Sequence, residues 1–196
     1  MKVLVANPPW PGPGYGARSD VRWPHKRSDK YIEYPIYLSY AVAVLEEAGF
    51  EVSFIDAVMD ELSIEAFARQ VQQLGPRLAL IETSTPSIEF DLQTAAAIND
   101  LSPGTFVGLL GSHVTYFDDR TIEENPAVAA LLRGEFEYIA ADLARALDAG
   151  DDLAGVLGLT YRSESGEARR NPDRPLFEPL DDMPFPARHI VKGDGY

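Results

Sequence analysis

No cysteine occurs anywhere among the 196 residues. That excludes disulfides, thiolate zinc sites, a cysteine nucleophile and any iron–sulfur cluster held by cysteines of these residues. Histidine is nearly as scarce. His25, His113 and His189 are far apart, without the close spacing of a zinc site, so no protein-ligated metal centre is expected. No apolar run approaches the roughly 20 residues of a membrane-spanning helix, and Met1–Ala6 runs straight into Asn7-Pro8-Pro9 without the core or cleavage site of a signal peptide. A cytoplasmic protein is expected. Basic residues are outnumbered, 17 against 31, for a formal charge of -14. An acidic body repels phosphate backbones, which argues against a nucleic-acid partner.

The charge is uneven. Residues 1–36 hold six basic and three acidic side chains, whereas the other 160 residues hold 11 and 28. The first long loop is therefore basic on an acidic body, either as a solvated surface segment or as a loop that meets an anion or an acidic partner surface. With 45% apolar and 24% charged residues, the chain has the balance of a globular domain with a proper core.

Five apolar segments recur: Lys2–Ala6, Glu51–Ala57, Arg77–Glu82, Thr105–Leu110 and Val128–Arg133. The first, third and fourth are nearly continuous, as in strands buried on both faces. Helical patterns occupy Pro35–Ala48, Ser63–Leu74, Ser87–Asp100, Asp118–Asn125 and Glu135–Ala149, with Gly49, Gly75 and Gly150 at their ends. This alternation predicts a flavodoxin-like, Rossmann-like α/β fold: a doubly wound five-stranded parallel sheet of order 2-1-3-4-5 over residues 1–150. Residues 151–196 change texture. Leu157–Arg162 and Glu167–Arg170 predict a small hairpin, and the five prolines of Asn171–Arg188 predict an extended strap, a linker or an arm that wraps a neighbour. The ending at Tyr196, without a terminating element, is expected to be a division within a longer protein.

Open α/β sheets bind ligands beyond the carboxyl ends of their strands, where strand order reverses. The residues there are Asn7-Pro8-Pro9-Trp10, Thr83-Ser84-Thr85-Pro86-Ser87, Gly111-Ser112-His113 and Gly134-Glu135-Phe136-Glu137. Each has a purely structural alternative. The prolines end a strand, Ser87 caps a helix, His113 closes a turn, and Glu135 and Glu137 suit a helix start. Their convergence on one edge favours a binding site. The phosphate loops of dinucleotide and P-loop proteins are missing, as are a serine elbow and the acidic pocket of receivers. What remains is a roomy hydroxyl-lined crevice under a long loop, in which Trp10, Arg18, Arg22 and Trp23 are candidate lid or substrate contacts.

In order along the chain, Asn7-Pro8-Pro9, Pro35–Phe50, Asp56-Ala57, Glu82–Ser87, Leu109–Thr115, Arg133–Glu137 and Met183–Arg188 resemble the N-terminal half of cobalamin-dependent radical SAM proteins. That group contains the magnesium-protoporphyrin ester cyclase and many methyltransferases. The resemblance implies a cobalamin (B12) domain with the corrin over the strand ends and the nucleotide tail descending between the first and third strands. Asn7, Pro8, Pro9 and Trp10 would flank the corrin, and Thr83, Ser84, Thr85 and Ser87 would contact the tail. Gly111, Ser112, His113, Gly134 and Glu135 would line the nucleotide side, small residues there allowing close approach. The DxHxxG cobalt-ligand motif is missing, so the expected state is base-off without a protein histidine on cobalt; His113, after the fourth strand, is misplaced for that role. Leu110-Gly111 stands where the family often has two glycines, and Gly134-Glu135-Phe136-Glu137 where it has GEGE.

The resemblance also implies a downstream domain whose CxxxCxxC triad holds a [4Fe–4S] cluster that cleaves S-adenosylmethionine. This segment alone would then bind cobalamin without catalytic residues of its own. The whole protein would transfer a methyl group to, or rearrange, a small-molecule substrate. Two other readings remain open: a stand-alone module that presents a cofactor to a partner enzyme, and an enzyme acting on a phosphorylated or nucleotide ligand in the same crevice.

Overall fold

The computed structural model describes residues 1–10 and 34–190. The strands are β1 (Lys2–Asn7), β2 (Glu51–Asp56), β3 (Leu78–Thr83), β4 (Phe106–Gly111), β5 (Ala130–Leu132), β6 (Leu159–Arg162) and β7 (Ala168–Arg170). The helices are α1 (Ile36–Glu47), α2 (Ile64–Leu74), α3 (Ile88–Leu101), α4 (Ser112–Tyr116), α5 (Asp118–Glu124) and α6 (Glu137–Ala149).

One sheet of order β2-β1-β3-β4-β5-β6-β7 runs through the domain. Its first five strands are parallel in the expected order, and β6 and β7 extend it antiparallel. The hairpin therefore continues the main sheet as sixth and seventh strands. Strands apolar on both faces need cover on both sides. Val3, Val5, Leu80 and Leu132 pack with α1 and α6 on one face. Leu4, Ile81, Leu109 and Leu131 pack with α2, α3 and α5 on the other.

Local chemistry sets the helix ends. Ser63 Oγ accepts the Ala66 N–H, and Gly75 closes α2 in the left-handed conformation. Ser87 precedes α3 but does not cap it. Its hydroxyl goes instead to the Asp91 carboxyl at 2.6 Å. The region after β4 also differs from expectation. Ser112 and His113 open a short helix of their own, ahead of the helix expected at 118–125, which forms as Asp118–Glu124.

Helix α1 is apolar almost all round, a pattern that demands cover on its outer side too. The strap supplies it. The Ala187 N–H donates to the Ser39 carbonyl at 3.0 Å, buried Ala187 joins the core, and His189 Nε2 meets Glu46 Oε1 at 2.9 Å. Its earlier part is held by α6, where Phe177 stacks on Tyr138 at 4.2 Å and Arg174 pairs with Asp142. The strap thus wraps this domain's own helices. Among the described residues, no helix is long and apolar enough to cross a membrane.

Candidate binding crevice at the strand ends

At the end of β1, Asn7 is fully buried and its Nδ2 donates to Asp56 Oδ1 at 2.8 Å. The same carboxylate oxygen accepts the Val58 and Met59 amides, and the Ala57 N–H donates to the Asn7 carbonyl. Asn7 therefore ties the ends of β1 and β2 together. Pro8 and Pro9 are buried behind it and Trp10 is half-buried. Arg18, Arg22 and Trp23 lie outside the described residues. Asn7→Asp sets two carboxylates at hydrogen-bond distance. We expect it to cost about 2 kcal/mol at pH 7 and to recover partly near pH 5, as one proton is shared; urea midpoints at the two pH values check this.

After β3, Thr83 is fully buried and its hydroxyl has no hydrogen-bond partner among the described residues. Ser84 and Ser87 are buried in a tight turn. The Ser84 N–H donates to Ser87 Oγ at 3.2 Å, and the two hydroxyls lie 3.0 Å apart. Thr85 is exposed at the tip, where its hydroxyl meets His113 Nδ1 at 3.2 Å. The His113 ring also leans on Phe117, and desolvation lowers its pKa and favours neutral imidazole. This clasp joins the ends of β3 and β4.

Beyond β4 and β5 the chain opens into a crevice of about 680 Å³. Gly111, Ser112 and Thr115 form one side, and residues 134–137 another. Thr115 Oγ1 donates to the Gly111 carbonyl and accepts the Gly134 N–H, both at 3.0 Å, fixing the two strand ends to each other. Gly134 has φ +76° and nothing within 4 Å of where a Cβ would stand, so its backbone is open to a ligand. Tyr37 and Tyr40 of α1 form the third wall, and the strap closes the fourth with Leu180, Asp181, Met183, Pro184 and Phe185. The strap is held there by the Phe177 N–H, which donates to Glu135 Oε2 at 3.1 Å. Tyr37, Leu180 and Phe185 give the mouth an exposed apolar rim.

Of the residues singled out from sequence, Gly111, Ser112, Gly134 and Glu135 line this crevice. Ser84 and Ser87 sit within the turn after β3, Thr85 and His113 form the clasp, and Asn7 pins the sheet. Phe136 and Glu137, also singled out at the strand ends, line it too, whereas Tyr37, Tyr40, Thr115 and the strap residues add walls that the strand ends alone do not indicate. The pattern still carried a signal for some of them, since Pro35–Phe50 and Met183–Arg188 were among the ordered motifs.

Glu137 is 7% exposed. Burial pushes its carboxyl up to about 7; its own backbone amide opposes the rise and the Glu135 carboxylate adds to it. A carboxyl whose folded pKa is raised contributes stability that is whole below its ordinary value of 4.5 and is lost as pH climbs through about 7. The folded state should therefore weaken between pH 5 and 8, by on the order of 2–3 kcal/mol from this group. Glu137→Gln should flatten that decline in urea unfolding. Among the described residues, no group of three or more histidines or carboxylates is placed to hold a metal ion.

A parallel α/β sheet with a mostly apolar pocket beyond its strand ends, a few convergent polar groups and exposed backbone at a glycine lip defines a ligand-binding domain. The model of the B12 binding domain family matches residues 26–144, and the chain belongs to that family. It is 33% identical over 163 residues to an uncharacterized methyltransferase of Pyrococcus horikoshii, covering 83% of this chain and 35% of that protein. It is 27% identical over 185 residues to the anaerobic magnesium-protoporphyrin IX monomethyl ester cyclase of Rubrivivax gelatinosus, covering 92% of this chain and 31% of that one. The chain thus spans about a third of the length of these relatives. In fold it is similar to the radical S-adenosylmethionine methyltransferase TsrM from Kitasatospora setae, solved with cobalamin and a [4Fe–4S] cluster. The TM-score is 0.68 at 22% identity, covering 87% of this chain and 30% of that one.

Proposed function

We propose that this B12-binding domain holds cobalamin base-off, with the nucleotide tail in the crevice between α1, α4, the β5–α6 turn and the strap. The corrin would lie over the apolar rim of Tyr37, Leu180 and Phe185. Bound there, the cobalt supplies methyl-transfer chemistry to a radical SAM domain of the same polypeptide, in the cytoplasm. The observation that carries this reading is a crevice of about 680 Å³ at the strand ends of a chain in the B12-binding family. A pocket of that size suits one drug-sized portion of the cofactor, with the remainder outside.

The lining fits such a tail. Tyr37, Tyr40 and Phe136 offer apolar faces for a flat base, Ser112 and the Gly134 backbone offer hydrogen bonds, and Glu137 offers a carboxyl. No described lining residue is basic, whereas Glu135, Glu137 and Asp181 are acidic. That wall disfavours the polyphosphate of a nucleotide.

In the family resemblance the cluster that cleaves S-adenosylmethionine is held by a cysteine triad. This chain has no cysteine, so its residues serve that chemistry as cofactor carrier. Tyr37, Leu180 and Phe185, exposed at the mouth, would then meet the corrin or the substrate side of a downstream domain.

The test is direct mixing with hydroxocobalamin, followed by gel filtration. The expected result is a base-off absorption spectrum that travels with the protein, while ATP and GTP are not retained. Loss of all corrinoid absorbance on the column would overturn the reading.

A further inference from the structure

We propose that Glu137 selects the lower base of the bound corrinoid, favouring cobamides whose base carries a free ring nitrogen over those with a phenolic base or none. This rests on the reading that the nucleotide tail occupies the crevice.

Glu137 opens α6 and lines the crevice, yet it is only 7% exposed. Among the described residues it forms no ion pair and no side chain hydrogen-bonds its carboxyl, which accepts only its own backbone amide. A buried carboxyl on a pocket wall, without a compensating cation, is costly unless it is protonated or meets a ligand.

The charged and titratable groups around it favour the protonated form. Glu135 lies in the same turn, Asp181 faces from the strap, Tyr138 follows on the helix, and Tyr37 and Tyr40 face from α1. From α4 come only the hydroxyls of Ser112 and Thr115, the latter already committed to Gly111 and Gly134. None of these groups is a cation; Arg174, over the Tyr138 ring at 5.8 Å, is paired with Asp142, and Glu47 and Asp182 add further negative charge around Tyr138. With burial holding its pKa at about 7, much of the Glu137 population presents an O–H donor near neutrality.

A base-off benzimidazole presents a complementary group. One ring nitrogen bears the ribose, and the other, released from cobalt, is an acceptor with its lone pair in the ring plane. Aromatic walls from Tyr40 and Phe136 suit the ring faces, and a protonated carboxyl suits the nitrogen. A phenolic lower base uses its oxygen in the glycosidic link and offers no equivalent acceptor. Sites that hydrogen-bond a buried ligand atom reject analogues lacking it, because their own polar group is then left unpaired. Ionised Glu137 loses its donor, so discrimination weakens as pH rises through about 7.

The experiment compares hydroxocobalamin, p-cresolylcobamide and cobinamide by equilibrium titration against the wild type, Glu137→Gln and Glu137→Ala, at pH 6 and pH 8. For the wild type at pH 6 the inference expects hydroxocobalamin to bind at least tenfold tighter than p-cresolylcobamide, with the margin shrinking at pH 8. Glu137→Gln, which keeps an N–H donor, should retain the preference and lose its pH dependence. Glu137→Ala should cost hydroxocobalamin about tenfold and leave p-cresolylcobamide within twofold. Equal binding of the two cobamides, or an equal loss for both in Glu137→Ala, would overturn the selection role and leave the crevice reading standing. Cobinamide binding as tightly as hydroxocobalamin would show that the tail is outside the crevice, and both would fall.

Discussion

Gly111→Ala is expected to cost roughly 3–5 kcal/mol, a large share of the 5–15 kcal/mol that holds an ordinary domain together. Gly111 ends β4 at φ +116° and ψ -171°, a conformation open in practice only to glycine. A Cβ there would stand 2.3 Å from the Thr83 carbonyl oxygen, far inside contact distance. The obstruction is backbone of the adjacent central strand, paired with Gly111 in register, so no side chain can swing aside to relieve it. Strain and overpacking each contribute about 1–3 kcal/mol. Urea unfolding should show the midpoint collapse or the protein fail to accumulate. A midpoint within 0.5 kcal/mol of the wild type would contradict the geometry. Gly134→Ala is the control: its φ is also positive, but the space is open, so only about 1 kcal/mol is expected.

The second large effect is at Arg133, which is 4% exposed. Its guanidinium donates to the Thr160 hydroxyl, to the Asn171 carbonyl at 2.7 Å and to Asp173 Oδ1 at 2.8 Å, and lies 3.6 Å from Asp118 Oδ2. Buried Asp118 also accepts from Thr160 Oγ1 at 2.6 Å and from Arg170 Nε at 3.0 Å. Removing the buried cation leaves Asp118 with the half-exposed Arg170 as its partner and takes hydrogen bonds from the Thr160 hydroxyl and the Asn171 carbonyl, at about 3 kcal/mol. Arg133→Ala should lower the unfolding free energy by that amount. It should also loosen residues 171–178, since Asn171 and Asp173 anchor the start of the strap, and limited proteolysis there should quicken. The double variant Arg133→Met/Asp118→Leu should regain part of the stability, because an apolar pair needs no compensation. Equal stability of Arg133→Ala and wild type would show that the network contributes nothing.

These two residues also show how far the sequence could be read. The five parallel strands and their order follow from apolar runs alternating with helical patterns, and Gly75 and Gly150 mark helix ends as their types require. Gly111 was legible as a strand-end residue, but its clash with Thr83 was not. That contact depends on register across strands 28 residues apart in the chain. Arg133 sat in a recognisable motif, yet its partners come from three other segments, which no local pattern joins. The hairpin was visible from its turn residues, while its pairing with β5 is a tertiary choice.

The crevice was half legible. Strand ends could be listed because function collects there in open sheets. Tyr37, Tyr40 and the strap could not, because their side chains reach the same space from a helix face and from a segment some 140 residues away. The all-round apolar character of α1 was the clue to the strap's position: a helix with no polar face needs something over its outer side.

The crevice at the ends of β4 and β5 is proposed to hold the corrinoid. Ser112→Trp tests this most directly. Ser112 is exposed, lines the crevice, and donates no side-chain hydrogen bond among the described residues, so an indole there fills space without disturbing the core. Titration with hydroxocobalamin should show affinity reduced at least tenfold with an unchanged urea midpoint. Undiminished affinity in a folded Ser112→Trp protein would place the cofactor elsewhere and contradict the account.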